Sequence, residues 1–307
     1  MSANEEELEC QMVIKIIGIG GKGAKAVGKM IHCVQNVEFF VMTEELDAIH
    51  YLSSCGEKRP LRFVAGESVV GTDSAHGIAV EDSFVEVVRD TDLVFVVTGM
   101  EDSAVADMSV DCVRTARDAD AFTIAVTADM WNREREVSRL PYEVDSFLCI
   151  SLNSLMPLDD NTPQILSEPA LADHLVRHAV GRIVQCVTER SFICLDFADI
   201  KVVLGDGDYT YQGIGIADGP EKGKDAASRA VQGISRQGMD IRLSDGILAI
   251  VEGSTNMTMD DFEAAARVFN DMLPEETNVV LGCYFDDVFG GNMKVTVFSS
   301  YSSGKMQ

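Results

Sequence analysis

Residues 12–31 read MVIKIIGIGGKGAKAVGKMI, and this stretch decides the fold. It predicts a strand over 12–17, a glycine loop over 18–23 and a helix over 24–31. Glycine lets the backbone approach a phosphate, and the helix start offers free N–H groups and the positive end of its dipole. The stretch therefore predicts a nucleotide-binding loop, or a strand-to-helix turn that needs glycine for steric reasons alone. The candidate binding residues are Gly18, Gly20, Gly21, Lys22, Gly23 and Lys25.

Composition and charge narrow the class of protein. The chain has 307 residues, of which 46% are hydrophobic, enough for two domains with their own cores. Its longest apolar runs are only strand-length and its N-terminus is acidic, so we expect a cytoplasmic protein without a signal peptide or a membrane span. The net charge of −25 disfavours nucleic acid and anionic membranes as partners.

Cysteine and histidine spacing gives little sign of metal or disulfide chemistry. The eight cysteines are scattered without a C-x-x-C pair, and we expect them to be reduced residues of the core. His174 and His178 lie four residues apart on a predicted helix. They have no acidic or cysteine partner at ligand spacing, so we predict no metal site.

The first half of the chain alternates apolar strands with helices. This order predicts an α/β fold with a doubly wound parallel sheet covered on both faces. After the first strand, the predicted strands are 36–42, 92–99, 121–127 and 147–150, with a helix over 103–118.

A long amphipathic helix, predicted over 169–188, leads to a smaller α+β part. Its predicted strands and helices are 209–217, 224–234, 247–253, 259–273, 278–285 and 292–299. We therefore expect a nucleotide-binding domain over 12–168, a central helix over 169–190 and a C-terminal domain over 191–301. Residues 1–11 and 302–307 are expected to be tails.

Several short segments match the motifs of one family. They are IGIGGKGAKAV (17–27), VEFF (37–40) followed by TEE (43–45), DFADI (196–200), QGIG (212–215), KDAASRAV (224–231), VVLGC (279–283) and KVTV (294–297). In this order they resemble the FtsZ/tubulin superfamily, and FtsZ-type proteins in particular. The resemblance implies a GTPase-type fold, a cell-division or cytoskeletal role, GTP or GDP with Mg²⁺ as cofactor, and head-to-tail assembly with itself or an FtsZ-type paralogue.

The resemblance also implies a divided active site. In the family, GTP lies on one subunit and acidic residues of the next subunit orient the attacking water. Asp196 and Asp199 match these acids, whereas the asparagine usual two residues before the first acid is Cys194 here. Acids three residues apart at a helix start are also explained as N-terminal caps.

The family's second phosphate loop is missing. Its motif G-G-G-T-G-[ST]-G should follow the third predicted strand, but only Gly99 remains and the chain continues MEDSAVAD over 100–107. Glu101 and Asp102 would then repel a triphosphate unless a cation such as Mg²⁺ lies between them. Lys22 and Lys25 either compensate for the lost loop or are surface lysines.

The other implied nucleotide contacts are loosely matched. They fall near Glu45, near Glu134 in Asn132–Arg135, near Asn153 and near Asp173. The chain stops soon after its last predicted strand, so we expect no direct membrane anchor of the FtsZ type.

Three functions remain open. The first is an FtsZ-like protein with weak or lost GTP binding and hydrolysis, acting by self-assembly or by joining an active filament. The second is a GTPase with a rebuilt pocket that polymerises head to tail. The third is a dinucleotide-binding enzyme, since Gly18-x-Gly20-x-x-Gly23 is followed by Glu44 about twenty residues on.

Overall fold

The computed structural model describes ten ranges of the chain: 12–43, 45–55, 61–64, 79–81, 84–100, 102–128, 139–154, 168–189, 191–205 and 207–305. These ranges contain a sheet of eleven strands. The strands are β1 (Ile14–Ile19), β2 (Glu38–Met42), β3 (Leu61–Val64), β4 (Ala79–Glu81), β5 (Leu93–Thr98), β6 (Phe122–Ala128), β7 (Ser146–Ile150), β8 (Tyr209–Ala217), β9 (Gly246–Gly253), β10 (Asn278–Phe285) and β11 (Met293–Tyr301).

Nine α-helices lie in the described ranges. They are α1 (Gly20–Met30), α2 (Leu46–Cys55), α3 (Phe84–Val88), α4 (Ser103–Asp118), α5 (Leu140–Glu143), α6 (Glu168–Thr188), α7 (Phe197–Gly205), α8 (Lys222–Ser235) and α9 (Met259–Met272). The strand order across the sheet is β10-β9-β11-β8-β7-β6-β5-β1-β2-β3-β4.

The half of the sheet from β4 to β7 is parallel throughout. All residues of β1 and of β5 are buried, as expected for strands covered on both faces. Apolar residues of α1, α2 and α6 cover one face, and those of α3, α4 and α5 cover the other. The prediction of a doubly wound parallel sheet is confirmed.

The other half of the sheet is mixed. Strand β8 pairs parallel with β7 and antiparallel with β11, while β9 pairs parallel with β10. Helices α8 and α9 cover one face of this half. Apolar residues of α6 and α7 join the core on its other face. One sheet thus runs through both halves, and their division into two domains stays a prediction.

Helix α6 links the two halves. Its 21 residues span roughly 30 Å at 1.5 Å per residue. Its buried side chains, among them Leu175, Val176, Ala179 and Ile183, keep the predicted helical spacing. No helix in the described ranges, α6 included, is both long and apolar enough to cross a bilayer.

Two predicted boundaries and two cysteines need correction. Helix α1 begins at Gly20 and directly follows β1, so the predicted loop over 18–23 is a strand end and the first helical turn. Strand β2 begins at Glu38 because Asn36 adopts a left-handed φ of 58°. Cys33 and Cys194 are exposed, so their placement in the core was wrong.

The core prediction is confirmed for Cys112, Cys186 and Cys283, which are buried with free thiols. Burial raises the pKa of Cys112 and of Cys186 to about 12. Such thiols are unreactive at neutral pH. Cys10 and the side chain of Cys55 lie outside the described residues.

Candidate functional site

Two helices begin next to each other at one edge of the sheet. Strands β1 and β5 are neighbours, and their last residues, Ile19 and Thr98, are paired in register. Helix α1 follows β1 directly and α4 begins a few residues after β5. The strand order reverses between β1 and β5, and in such sheets ligands bind at this switch point. We call this edge the glycine edge.

Most glycines of the motif have a steric reason. A Cβ on Gly23 would lie 2.1 Å from the carbonyl oxygen of Val97, because α1 packs closely against β5. A Cβ on Gly18 would lie 2.7 Å from the carbonyl oxygen of Gly23. Gly20 has a φ of 72°, which favours glycine. The steric interpretation therefore accounts for these glycines without a ligand.

Gly21 is different because a carboxylate lies beside it. A Cβ on Gly21 would lie 1.9 Å from Oε2 of Glu45 and 2.2 Å from its Oε1. The N-cap residue of α1, Ile19, makes no side-chain hydrogen bond to the helix start. The exposed Glu45 carboxylate thus occupies space beside the positive end of the α1 dipole, where negative charge is favourable.

A second carboxylate occupies the start of α4. Asp102 is the N-cap residue, and its Oδ1 accepts a 2.9 Å hydrogen bond from the backbone N–H of Val105. Just before it, Met100 has a φ of 46° at a position where the family motif carries glycine. A non-glycine residue in this region costs about 1 kcal/mol. The turn after Gly99 therefore has a backbone conformation that favours glycine. The helix that follows, α4, is capped by Asp102 of the same chain.

The central-helix aspartate is also engaged by the chain itself. Asp173 on α6 forms an ion pair with Lys29 near the end of α1. Lys22 and Lys25 precede Lys29 on the same helix and are partly buried, so they are not freely solvated lysines. The ion pair of Asp173 with Lys29 joins the first turns of α6 to the end of α1.

Other predicted contacts are only partly described. Asn153 lies in a 3-10 turn, Leu152–Ser154, but its side chain lies outside the described residues. Glu44, Glu101 and the segment 129–138, which contains Glu134, also lie outside them. Their roles stay predictions.

The two predicted catalytic acids cap the start of α7. The backbone N–H of Asp199 donates to Asp196 Oδ1 at 2.8 Å, and the N–H of Asp196 donates to Asp199 Oδ2 at 3.1 Å. This reciprocal arrangement is the capping role that the sequence left open. Each carboxylate has a second oxygen, so capping does not prevent a role toward a partner.

The two acids and Asp173 lie at opposite ends of α6. Asp173 is near the start of α6, and α7 follows the end of α6 at Thr188. These two residues of α6 are roughly 20 Å apart at 1.5 Å per residue. Asp196 and Asp199 thus follow the end of α6 that is remote from Asp173.

An exposed aromatic pair lies close to the acids. Phe192 and Phe285 are 59% and 44% exposed, and their ring centroids are 5.3 Å apart. An antiparallel bridge between Ile193 and Cys283 holds the two segments together. Sequence reasoning missed this pair because only the fold brings its members together. We call Phe192, Phe285, Asp196 and Asp199 the acidic edge.

A buried ionic cluster joins α6 to the C-terminal strands. Glu252 on β9 is 1% exposed and pairs with Arg182 on α6 and with Lys294 on β11, whose Nζ lies 2.7 Å from Glu252 Oε2. Lys294 Nζ also lies 3.2 Å from Nε2 of His178, and Gln212 Nε2 lies 3.1 Å from its Nδ1. The cluster ties the C-terminal half of the sheet to the central helix, and sequence reasoning missed it.

The cluster predicts a pH dependence of stability. Burial, and then the charges of Lys294 and Arg182, holds the pKa of His178 well below its ordinary value of 6.5. Below pH 6.5, His178 takes up a proton in the unfolded chain but stays neutral in the folded chain. The contribution of neutral His178 to the free energy of unfolding is therefore complete above pH 6.5 and is lost as the pH falls. When the pH is lowered from 7.5 to 5.5, the free energy of unfolding of the wild type should fall by about 1 kcal/mol more than that of His178→Gln. Urea unfolding at the two pH values measures both. Equal losses would contradict this assignment.

Comparisons with known proteins agree with this architecture. Residues 209–300 match the sequence profile of the FtsZ family, C-terminal domain. The chain is 24% identical to the cell division protein FtsZ of Buchnera aphidicola subsp. Baizongia pistaciae, over 96% of this chain and 80% of that protein.

Two solved structures share the fold. A mutant FtsZ from M. jannaschii gives a TM-score of 0.77 at 19% identity, covering 95% of this chain and 91% of that one. CetZ2 from Haloferax volcanii, solved as a GTPγS-bound protofilament, gives a TM-score of 0.65 at 15% identity, covering 94% and 93%.

A doubly wound sheet joined by one long helix to a mixed C-terminal sheet defines, with these matches, an FtsZ/tubulin-like fold. The chain is similar to FtsZ-type proteins over most of its length, and its residues 209–300 match the FtsZ family, C-terminal domain.

Proposed function

We propose that this chain is a cytoplasmic FtsZ-like cytoskeletal subunit that has lost GTP binding at its own glycine edge. It acts by joining, head to tail, a filament of an active relative or of its own copies. The observation that carries the proposal is that carboxylates of the chain itself, Glu45 and Asp102, occupy the starts of α1 and α4.

The charges at this edge do not suit a triphosphate. A unit negative charge 4 Å from another is repelled by about 1 kcal/mol in water and by about 4 kcal/mol at an effective dielectric constant of 20. Two carboxylates facing several phosphate charges therefore oppose binding, and Asp102 already uses the N–H group of Val105 that a phosphate oxygen would need. Asp173, a third residue predicted to contact the nucleotide, forms an ion pair with Lys29 instead.

The acidic edge supports association with another subunit. Asp196 and Asp199 are fixed by reciprocal capping, so their remaining oxygens have defined positions. Phe192 and Phe285 add exposed apolar surface beside them, which is typical of protein contact sites. An edge with both features fits the nucleotide face of a relative that does bind GTP, such as CetZ2 in its GTPγS-bound protofilament.

Mixing this chain with an active FtsZ from the same organism tests the association. At FtsZ concentrations too low for assembly, the wild-type chain should raise GTP turnover and should sediment with the FtsZ. Asp199→Asn should lose the rise in turnover but keep folding, since asparagine can still cap α7. Asp260→Asn, which changes an exposed acid in the first turn of α9, is the matched control.

Two results would contradict the association. One is unchanged turnover without co-sedimentation. The other is an equal effect of Asp199→Asn and Asp260→Asn.

The alternative is a working GTPase with a rebuilt pocket. It is favoured by the partial burial of Lys22 and Lys25 on α1, which places positive charge near the glycine edge, where Mg²⁺ could bridge carboxylates and phosphates. The isolated chain would then show GTP turnover that rises steeply with its own concentration. If the chain shows no GTP turnover at these concentrations, this alternative is wrong.

A further inference from the structure

A cavity of about 290 Å³ lies beside α6, away from the glycine edge. One wall is residues 33–35, which connect α1 to β2, and the other is the face of α6 from His174 to Thr188 with Glu189 just after it. Its volume is near the lower end of cavities that bind small molecules. We call it the α6 cavity.

The α6 cavity is lined by two arginines and two histidines although the chain carries a net charge of −25. His174, Arg177, His178 and Arg182 line it from one face of the helix. Its lining has one carboxylate, Glu189, which accepts a 2.6 Å hydrogen bond from the amide of Gln185. A concave basic surface on an acidic protein favours anions over other ligands.

Arg177 lacks a negative partner within the described part of the chain. Its guanidinium donates to Nδ1 of His174 at 2.7 Å and to Sγ of Cys33 at 3.6 Å. Neither is a carboxylate, whereas Arg182 pairs with Glu252. A partly buried guanidinium suits a bidentate oxyanion, because its N–H groups match two oxygens of one carboxylate or phosphate.

The pKa values of the two histidines that line the cavity are lowered, first by burial and then by nearby positive charges. Burial, followed by the charges of Arg177 and Lys294, lowers the pKa of His174. Burial and the charge of Lys294 lower the pKa of His178 further. A negative ligand would offset the part of each shift that comes from the nearby positive charges.

We propose that the α6 cavity binds a small multivalent oxyanion, a polyphosphate or a polycarboxylate, through Arg177, His174 and Gln35. The bound anion bridges α6 to the connection between α1 and β2. It thereby links the central helix to the parallel half of the sheet, and its occupancy is a means of regulating how firmly the halves are joined. The site shares no residue with the glycine edge or the acidic edge, so it goes beyond the proposed function.

Cysteine protection in the wild-type chain tests the site directly. Cys33 lines the cavity and is exposed, and Cys194 is exposed near the acidic edge, so each can be alkylated by iodoacetamide and followed by mass spectrometry. Inorganic pyrophosphate and citrate are the two probes, with potassium chloride at equal ionic strength as the reference. At about ten times its Kd, a bound anion should slow alkylation of Cys33 about tenfold and leave Cys194 unchanged.

The two probes separate the sources of the oxyanion. Protection by pyrophosphate alone assigns a phosphate site, and protection by citrate alone assigns a carboxylate site. Protection by neither, or equal slowing at both cysteines, overturns the proposal.

A matched pair of variants tests the role of Arg177. Arg177→Gln should weaken binding of the protecting anion at least about tenfold in calorimetry, which is the loss of one charge-assisted hydrogen bond. Arg267→Gln makes the same change on the exposed face of α9, where Arg267 pairs with Glu263, and should bind as the wild type does. If Arg177→Gln does not fold, the cysteine protection of the wild type decides alone. Equal affinities of the two variants overturn the assignment.

Discussion

Gly23→Ala is expected to destabilise the protein by about 3 kcal/mol, the upper end of typical overpacking costs. The added Cβ would lie 2.1 Å from the carbonyl oxygen of Val97, a backbone atom of the buried strand β5 that cannot move aside. Either α1 or β5 must shift, which disturbs the core on that face of the sheet. Urea unfolding followed by circular dichroism measures the loss.

Gly21→Ala is the matched control. The three atoms nearest to its Cβ would belong to the carboxylate of Glu45, the far end of an exposed side chain. That side chain can turn away, and alanine is favoured over glycine in a helix, so stability should stay within about 1 kcal/mol of the wild type. If both variants are equally stable, the steric interpretation of Gly23 is wrong.

Glu252→Leu is expected to cost about 3–5 kcal/mol, because it leaves a buried charge without its partner. The charge is that of Lys294, which is 7% exposed and whose Nζ lies 2.7 Å from Glu252 Oε2. The ion pair need not itself be stabilising, since both charges lose water on folding. The double variant Glu252→Leu/Lys294→Met should therefore recover most of the loss.

An exposed ion pair provides the control for this cycle. Glu263 pairs with Arg267 on the surface of α9 and its side chain is 56% exposed. Glu263→Leu should change stability by at most about 0.5 kcal/mol, as exposed helix pairs do. A double variant as unstable as Glu252→Leu alone would show that Lys294 is not the source of the loss.

Much of the fold could be predicted from the sequence because its signals are local. The apolar runs of β1, β5 and β6 identify buried parallel strands, and the spacing of apolar residues identifies α6. The short elements β4, α3 and α5 have only three to five residues each, too few for a period to be visible. The start of α1 was misplaced because glycine disfavours helices locally, whereas close packing on β5 fixes the helix there.

The candidate site could be predicted only in part. The sequence placed Asp102 where a phosphate loop should be, since the motif aligns directly after Gly99. It did not show that Asp102 caps α4 or that Glu45 lies on Gly21, because both depend on how loops meet at the switch point. The ionic cluster of Glu252 and the α6 cavity join residues far apart in the chain, and no local pattern marks such contacts.

Calorimetric titration of the full chain with GTP in the presence of Mg²⁺ tests the central claim most directly. The claim is that Glu45 and Asp102 occupy the places where phosphates would bind. The expected result is no saturable heat, which corresponds to a Kd weaker than about 1 mM. A micromolar Kd would contradict the account, since it would mean that the glycine edge still holds the nucleotide.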